Sequence, residues 1–159
     1  MKVISEHFNP QLQKTIQLGV PETSDEWNAY YNVRYEVLRK PWNQPASSVH
    51  VEDDDTAIHF CLSNNNEIIG VCRLHYNSAT EGQIRFLAIK KEWQHHQLGD
   101  ILLSHAEELC VQHQATSLFL QARDNAVPFY LRNGYQVIEK THLLFGKIQH
   151  FSMRKSLQV

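Results

Sequence analysis

The stretch LAIKKEWQHHQLGDILL, Leu87 to Leu103, decides how this chain is read. An apolar run, Ile84 to Ile89, leads into a polar link, and an apolar-periodic segment opens at about Leu98. That is the order strand, loop, helix. The first amides of a helix have no partner inside it, and the aligned peptide dipoles place about half a positive charge at that end. Such a turn suits a pyrophosphate, and Gly99 stands where a backbone can approach a ligand closely. One Gly in a loop of this type is common, so on spacing alone a polar, histidine-rich loop is the plainer reading.

On the C-terminal side, SLFLQA reads as a short buried strand. AVPFYLRN reads as a helix with Pro128 in its first turn, Asn125 as its cap and Gly134 as its left-handed end. YQVIEK and FGKIQHFSMRK read as two further strands. On the N-terminal side, AIHFCLS, EIIGVCRLHY and QIRFLAIK are β-rich, and Ser63-Asn64-Asn65-Asn66 is a hairpin signal. PWNQPASSVHVEDDDT is expected to be a long loop. WNAYYNVRYEVLRK sets Trp27, Tyr30/Tyr31, Val33/Arg34 and Val37/Leu38 at helical spacing. That helix enters at Ser24-Asp25-Glu26 and stops near Lys40, because Pro41 disfavours helical geometry in the residue before it. The first twenty-five residues read as a short strand or arm with a turn at Gly19-Val20-Pro21. The expected fold is a single α/β (α+β) domain over 1–159, with a mainly antiparallel sheet. A crossover helix after QIRFLAIK makes a βαβ unit and a local parallel pair.

The composition excludes several classes of function. A net charge of -2 offers no basic field for nucleic acid. No stretch approaches a membrane span, and the N-terminus lacks the apolar segment of a signal peptide. Three cysteines without CxxC spacing argue against a disulfide framework and a zinc site, and each sits in an apolar run where a reduced buried thiol is expected. A cytoplasmic setting fits. No metal is implied.

A resemblance sharpens this. Leu87-Ala88-Ile89 followed by Gln94, Leu98 and Gly99 resembles motif A of the GNAT superfamily of acetyl-CoA-dependent N-acyltransferases. RDNAVPFYLRNGYQVIE resembles the second hallmark of that family, with Asn125, Phe129, Tyr130, Gly134 and Tyr135 in place. KIQHFSMRK is similar to the final strand of many members, and VRYEVLRKPWNQP to the first helix and loop of a bacterial branch. The ordered set runs from about Trp27 to the C-terminus.

The resemblance implies roles. The end of the strand at Leu87-Ala88-Ile89 would be splayed from its neighbour, often at a bulge, and would bond the pantetheine arm as an added strand does. The loop Gln94, His95, His96, Gln97, Leu98, Gly99 and Asp100 would hold the pyrophosphate of acetyl-CoA. Asn125 would contact the cofactor near the thioester or pantetheine, and Tyr130 would protonate the departing thiolate. Read without the resemblance, Tyr130 is a half-buried packing aromatic. The reaction would be direct transfer of an acetyl group to a primary amine, on a small molecule or a protein. A homodimer is compatible with the family, and a non-catalytic CoA-binding sensor is the alternative.

The sequence departs from the family in places. Gln97 stands where Gly is usual, and Asp100 where a basic or small residue is common. An Asp there favours the helix dipole but repels a pyrophosphate. His95 and His96 occupy positions that often include a cation. A phosphate partner favours the imidazolium, so affinity would tighten as pH falls from about 8 to 6. Gln83 stands where one branch has a catalytic Glu, which leaves Glu81, His75, Glu36 or a water-mediated base. Glu52-Asp53-Asp54-Asp55 reads as a solvated loop, with an acidic rim for a cationic acceptor as the second reading. Trp42 would line an acceptor pocket or anchor its loop.

Overall fold

The computed structural model describes residues 1–158. Among the described residues are three α-helices, eight strands and five short 3₁₀ segments. The strands are β1 (Lys2–Asn9), β2 (Lys14–Val20), β3 (Ile58–Asn64), β4 (Glu67–Tyr76), β5 (Glu81–Ile89), β6 (Ser117–Arg123), β7 (Gln136–Leu144) and β8 (Ile148–Ser156). The helices are α1 (Ser24–Leu38), α2 (Leu98–Gln112) and α3 (Val127–Arg132). The sheet order is β1-β2-β3-β4-β5-β6-β8-β7, which makes this the expected mixed α/β fold. β5 pairs with β6 in parallel register, joined through α2 as a βαβ unit. No helix among the described residues is long and apolar enough to cross a membrane.

The chain forms two compact units. The first comprises 1–73 and 86–104, the second 74–85 and 105–159. In the first, the N-terminal arm is a full antiparallel hairpin, with β2 pairing onward to β3 through Gln17↔Ser63 and Gly19↔Cys61. The alternation in these strands was too weakly apolar to announce two of them. Helix α1 starts with a capping box. Thr23 Oγ1 accepts from the Glu26 amide at 3.2 Å, and Glu26 Oε1 accepts from the Thr23 amide at 3.0 Å. Its buried face packs Tyr30 and Val33 with Cys61, Ile68, Val71 and Ala88.

The expected long loop after α1 is instead three 3₁₀ segments, Lys40–Trp42, Ala46–Val49 and Glu52–Thr56. Of the acidic run, Glu52, Asp53 and Asp55 are exposed, as a solvated segment should be, and Asp54 is the exception. Asp54 is 7 % exposed and lies between two fully buried arginines. Arg34 Nη1 donates to Asp54 Oδ2 at 2.9 Å, and Arg73 Nη1 to Asp54 Oδ1 at 3.0 Å. Arg73 also grips Asp53 with both terminal nitrogens, at 2.8 and 2.9 Å. Two buried guanidinium ions demand counter-charge, and this turn supplies it.

In the second unit β8 enters between β6 and β7. Its register with β6 runs from Ser117↔Ser156 to Arg123↔His150. Helix α2 packs tightly on one face: a Cβ added at Gly82 would lie 2.5 Å from Cys110 Sγ and 3.4 Å from Leu118 Cδ1. Burial holds all three thiols un-ionised, Cys61 and Cys72 pushed up to about 12 and Cys110 to about 11.

Candidate active site

The chain leaves the β5–β6 pairing where β5 turns toward α2. The parallel register of β5 with β6 runs from Glu81↔Ser117 to Ile84↔Leu120. Phe86 follows with φ 57°, a left-handed value that an aromatic residue adopts only under constraint. The backbone kink therefore falls one residue before the expected stretch Leu87-Ala88-Ile89. The constraint is visible: the guanidinium of Arg34 lies 4.1 Å from the centre of the Phe86 ring, and that of Arg39 lies 5.3 Å from it.

Beyond Ile89 the loop is stapled back onto the strand. Gln94 Nε2 donates to Ile89 O at 2.8 Å, and the Lys90 amide donates to Ile69 O at 2.8 Å. His95 and Gln97 are both left-handed, with φ 67° and 63°. Left-handed residues alternating with others are the backbone pattern from which anion-binding nests are built. Gln97 thus adopts the backbone for which Gly is the usual residue, at the steric cost its Cβ carries. The β1–β2 turn braces the loop: Asn9 Nδ2 donates to His96 O at 2.9 Å, and His96 Nδ1 lies 3.0 Å from Gln11 Oε1. Leu98, which opens α2, is buried, while Gly99 and Asp100 are partly exposed.

Close by lies a constellation that sequence reasoning missed. His59 Nε2 lies 2.7 Å from Asp54 O, and its Nδ1 lies 2.8 Å from Tyr30 Oη. A carbonyl only accepts, so Nε2 carries the hydrogen and Nδ1 the lone pair, which faces Tyr30 Oη and, at 3.4 Å, Arg34 Nη2, while the same Tyr30 hydroxyl lies 3.1 Å from the carbonyl of Cys72. Burial, with the positive charge of Arg34 and Arg73, holds His59 below the ordinary imidazole range. Burial alone would raise Asp54; bonds and charge from Arg34, then Arg73, outweigh it and lower its pKa. Arg34 standing among the apolar helical positions was the signal that a buried carboxylate must exist.

The second unit carries the other sequence-predicted residues. Asn125 does not cap α3. It sits inside a 3₁₀ turn, Asp124–Ala126, where its amide donates to Asp124 Oδ1 at 2.8 Å. The cap position of α3 is Ala126, and Asn125 is exposed. Tyr130 is buried at 7 % exposure, edge-on to Phe129 at 5.0 Å and to Tyr135 at 5.7 Å. Gly134 is left-handed, at φ 90°, as the helix end requires. Tyr135 Oη donates to Glu107 Oε2 at 3.3 Å, and Lys155 pairs with Glu107 at 2.6 Å.

Gln83, in the place of a catalytic Glu, and the suggested bases Glu81, Glu36 and His75 are all engaged. Gln83 Oε1 accepts from Asn77 Nδ2 at 2.9 Å. Glu81 is ion-paired to Arg154 at 3.0 Å and accepts from Asn77 at 2.9 Å. Glu36 accepts from Asn32 at 3.1 Å, and His75 Nε2 lies 3.0 Å from Asn77 Oδ1.

Comparison with known proteins addresses the whole chain. A family profile described as an acetyltransferase (GNAT) domain matches residues 23–157. The N-acetyltransferase YjcF of Bacillus subtilis (strain 168), itself uncharacterised, is 27% identical over 128 residues, covering 80% of this chain and 90% of YjcF. The crystal structure of Escherichia coli ElaA superposes with a TM-score of 0.73 at 18% identity, covering 88% of this chain and 97% of that one. An aminoglycoside 6'-N-acetyltransferase complexed with coenzyme A superposes with a TM-score of 0.74 at 13% identity, covering 91% and 97%. The profile spans both motif-bearing segments and nearly the full length between them, and the chain belongs to the GNAT acetyltransferase family.

Proposed function

We infer that this protein is an acetyl-CoA-dependent N-acetyltransferase that acts by direct attack of a primary amine on the thioester. The observation that carries the reading is the loop ahead of α2, where His95 and Gln97 are both left-handed. That conformation, followed by the first turn of a fifteen-residue helix, suits a pyrophosphate. Family membership makes a coenzyme A thioester the matching ligand, and a GNAT neighbour has been crystallised with coenzyme A.

In this reading residues 94–100 hold the pyrophosphate through their amides, and His95 and His96 stand in for a fixed cation. The backbone of Leu87, Ala88 and Ile89 takes the pantetheine as a further strand. Asn125 contacts the cofactor arm, and Tyr130 donates its phenolic proton to the leaving thiolate. None of the three cysteines is needed as a nucleophile, and their un-ionised state suits none for it.

The test is calorimetric titration of acetyl-CoA at about pH 6 and pH 8, followed by detection of free thiol in the presence of small and peptidic amines. Micromolar binding with amine-dependent thiol release supports the reading. Binding without release with any amine makes the protein a CoA sensor, an outcome that Gln83 in place of a carboxylate keeps open. No binding at either pH sinks both.

A further inference from the structure

The family profile begins at residue 23, so the hairpin of β1 and β2 lies ahead of the segment it matches. That hairpin nevertheless touches the loop ahead of α2, and both belong to the first compact unit. Asn9 and Lys14 close the hairpin as a directly paired couple in the β1–β2 register. Side chains of such a couple share one face of the ribbon. On that face Asn9 Nδ2 donates to His96 O at 2.9 Å, and Lys14 Nζ sits 5.3 Å from the centre of the Trp93 ring. From the turn between them, Gln11 Oε1 lies 3.0 Å from His96 Nδ1.

Both ends of the Asn9 amide are engaged. Its Oδ1 accepts from the Leu12 amide at 3.0 Å, which closes the turn and leaves Nδ2 as the group facing His96. The assignment is fixed by its partners, since the Leu12 N–H needs an oxygen and the His96 carbonyl needs a donor. The turn itself is stapled, with Gln13 left-handed at φ 54° and its Nε2 donating to Pro10 O at 2.6 Å. Asn64 Nδ2 donates to Thr15 O at 3.0 Å and ties the start of β2 to the end of β3. The arm that reaches His96 is thus anchored on the sheet.

The bond to His96 O acts on the next amide. A peptide group is planar and trans, so its carbonyl and its N–H point in opposite directions. The His96 carbonyl shares its plane with the Gln97 N–H. Drawing the carbonyl toward the hairpin turns that N–H away from it. The exposure pattern agrees: His96 is half-buried, while His95 and Gln97 are exposed. We propose that Asn9 is a positioning residue for the cofactor, presetting the Gln97 amide for the pyrophosphate of acetyl-CoA through the carbonyl of His96. This inference rests on the cofactor placement in the transferase reading above. Without the Asn9 side chain the plane between His96 and Gln97 is free to turn, and ordering it on binding lowers affinity.

The experiment compares acetyl-CoA with S-acetylpantetheine, a thioester that lacks the pyrophosphate. Asn9→Ser keeps an oxygen for the Leu12 amide but is too short to reach His96 O. Binding, and thiol release with spermidine, neamine and glycylglycine as acceptors, are measured for the wild type and the variant. In the variant, Kd and KM for acetyl-CoA are expected to rise roughly five- to tenfold with kcat unchanged, the loss of one hydrogen bond. For S-acetylpantetheine, kcat/KM is expected to stay within about twofold, which a general loosening of the fold would not allow. In the wild type, the Gln97 amide resonance is expected to shift with acetyl-CoA and not with S-acetylpantetheine. That measurement needs no variant and decides the matter if Asn9→Ser fails to fold. An unmoved Gln97 amide, an unchanged affinity for acetyl-CoA in the variant, or an equal loss with both thioesters overturns the role of Asn9 and leaves the transferase reading standing. A wild type that does not bind acetyl-CoA overturns both.

Discussion

The guanidinium of Arg34 lies over the ring of Phe86 at 4.1 Å, so one residue of α1 braces the left-handed kink in β5. The same side chain binds Asp54 and the carbonyl of Val49, each at 2.9 Å. Strain at Phe86 persists because a buried ion network surrounds it.

Removing that arginine should therefore act on stability and on the kink together. Arg34→Met leaves Asp54 buried with half its counter-charge, a loss of about 3–5 kcal/mol for a broken buried pair. With about 2–4 °C per kcal/mol at this chain length, the melting temperature should drop by roughly 6–20 °C. Arg34→Lys should recover part of the stability but not the flat contact with Phe86, since an ammonium is not planar. Calorimetric melts of the two variants check this, and equal melting temperatures for Arg34→Met and the wild type would refute it.

Acid should weaken the fold through its buried imidazoles. His59, His105 and His150 all lie below the ordinary value in the folded chain, burial being the first cause for each. The unfolded chain then binds protons more readily than the folded one. The associated stability is complete above about pH 6.5 and is lost as pH falls through the folded values. Asp54, also lowered, adds a further loss below the usual carboxylate range. Urea midpoints should fall between about pH 7.5 and pH 5. His59→Asn, whose amide can donate to Asp54 O and accept from Tyr30, should flatten part of that slope.

Gln97 pays for a left-handed backbone without needing its side chain for it. Gln97→Gly should leave stability unchanged or raise it by up to about 1 kcal/mol, and should hold or tighten acetyl-CoA binding. Gln97→Val, β-branched at positive φ, should weaken both. Urea melts and calorimetric titration read these outcomes. Tighter binding by the valine variant would show that the nest is not what the ligand uses.

Tyr130→Phe separates packing from chemistry. The ring keeps its edge contacts with Phe129 and Tyr135, so acetyl-CoA affinity should change little. Loss of the phenolic proton should slow thiol release about a hundredfold. An unchanged rate would return Tyr130 to the role of a core aromatic.

Much of this was legible in the chain before it folded. Helical spacing from Trp27 to Leu38, the Asn-rich hairpin turn, and the strand–loop–helix order around Leu98 are local patterns, and local patterns report periodicity and turn chemistry directly. Gly134 was legible for the same reason, because one residue type answers a backbone that turns left. Asn125 misled, because an Asn ahead of a helix looks like a cap whether the next turn is α or 3₁₀.

What the tertiary structure alone decided were the long-range choices. The sequence by itself determined most element types from α1 onward, the βαβ unit and the two motifs of the family. It did not determine that β8 would lie between β6 and β7, which sets His150 beside Arg123. Nor did it determine that Asp54, twenty residues beyond Arg34, would be drawn inside from an acidic run to neutralise it and Arg73. Charge in a sequence reads as solvated surface, and only the folded chain shows which cations have lost their water and must find an anion instead.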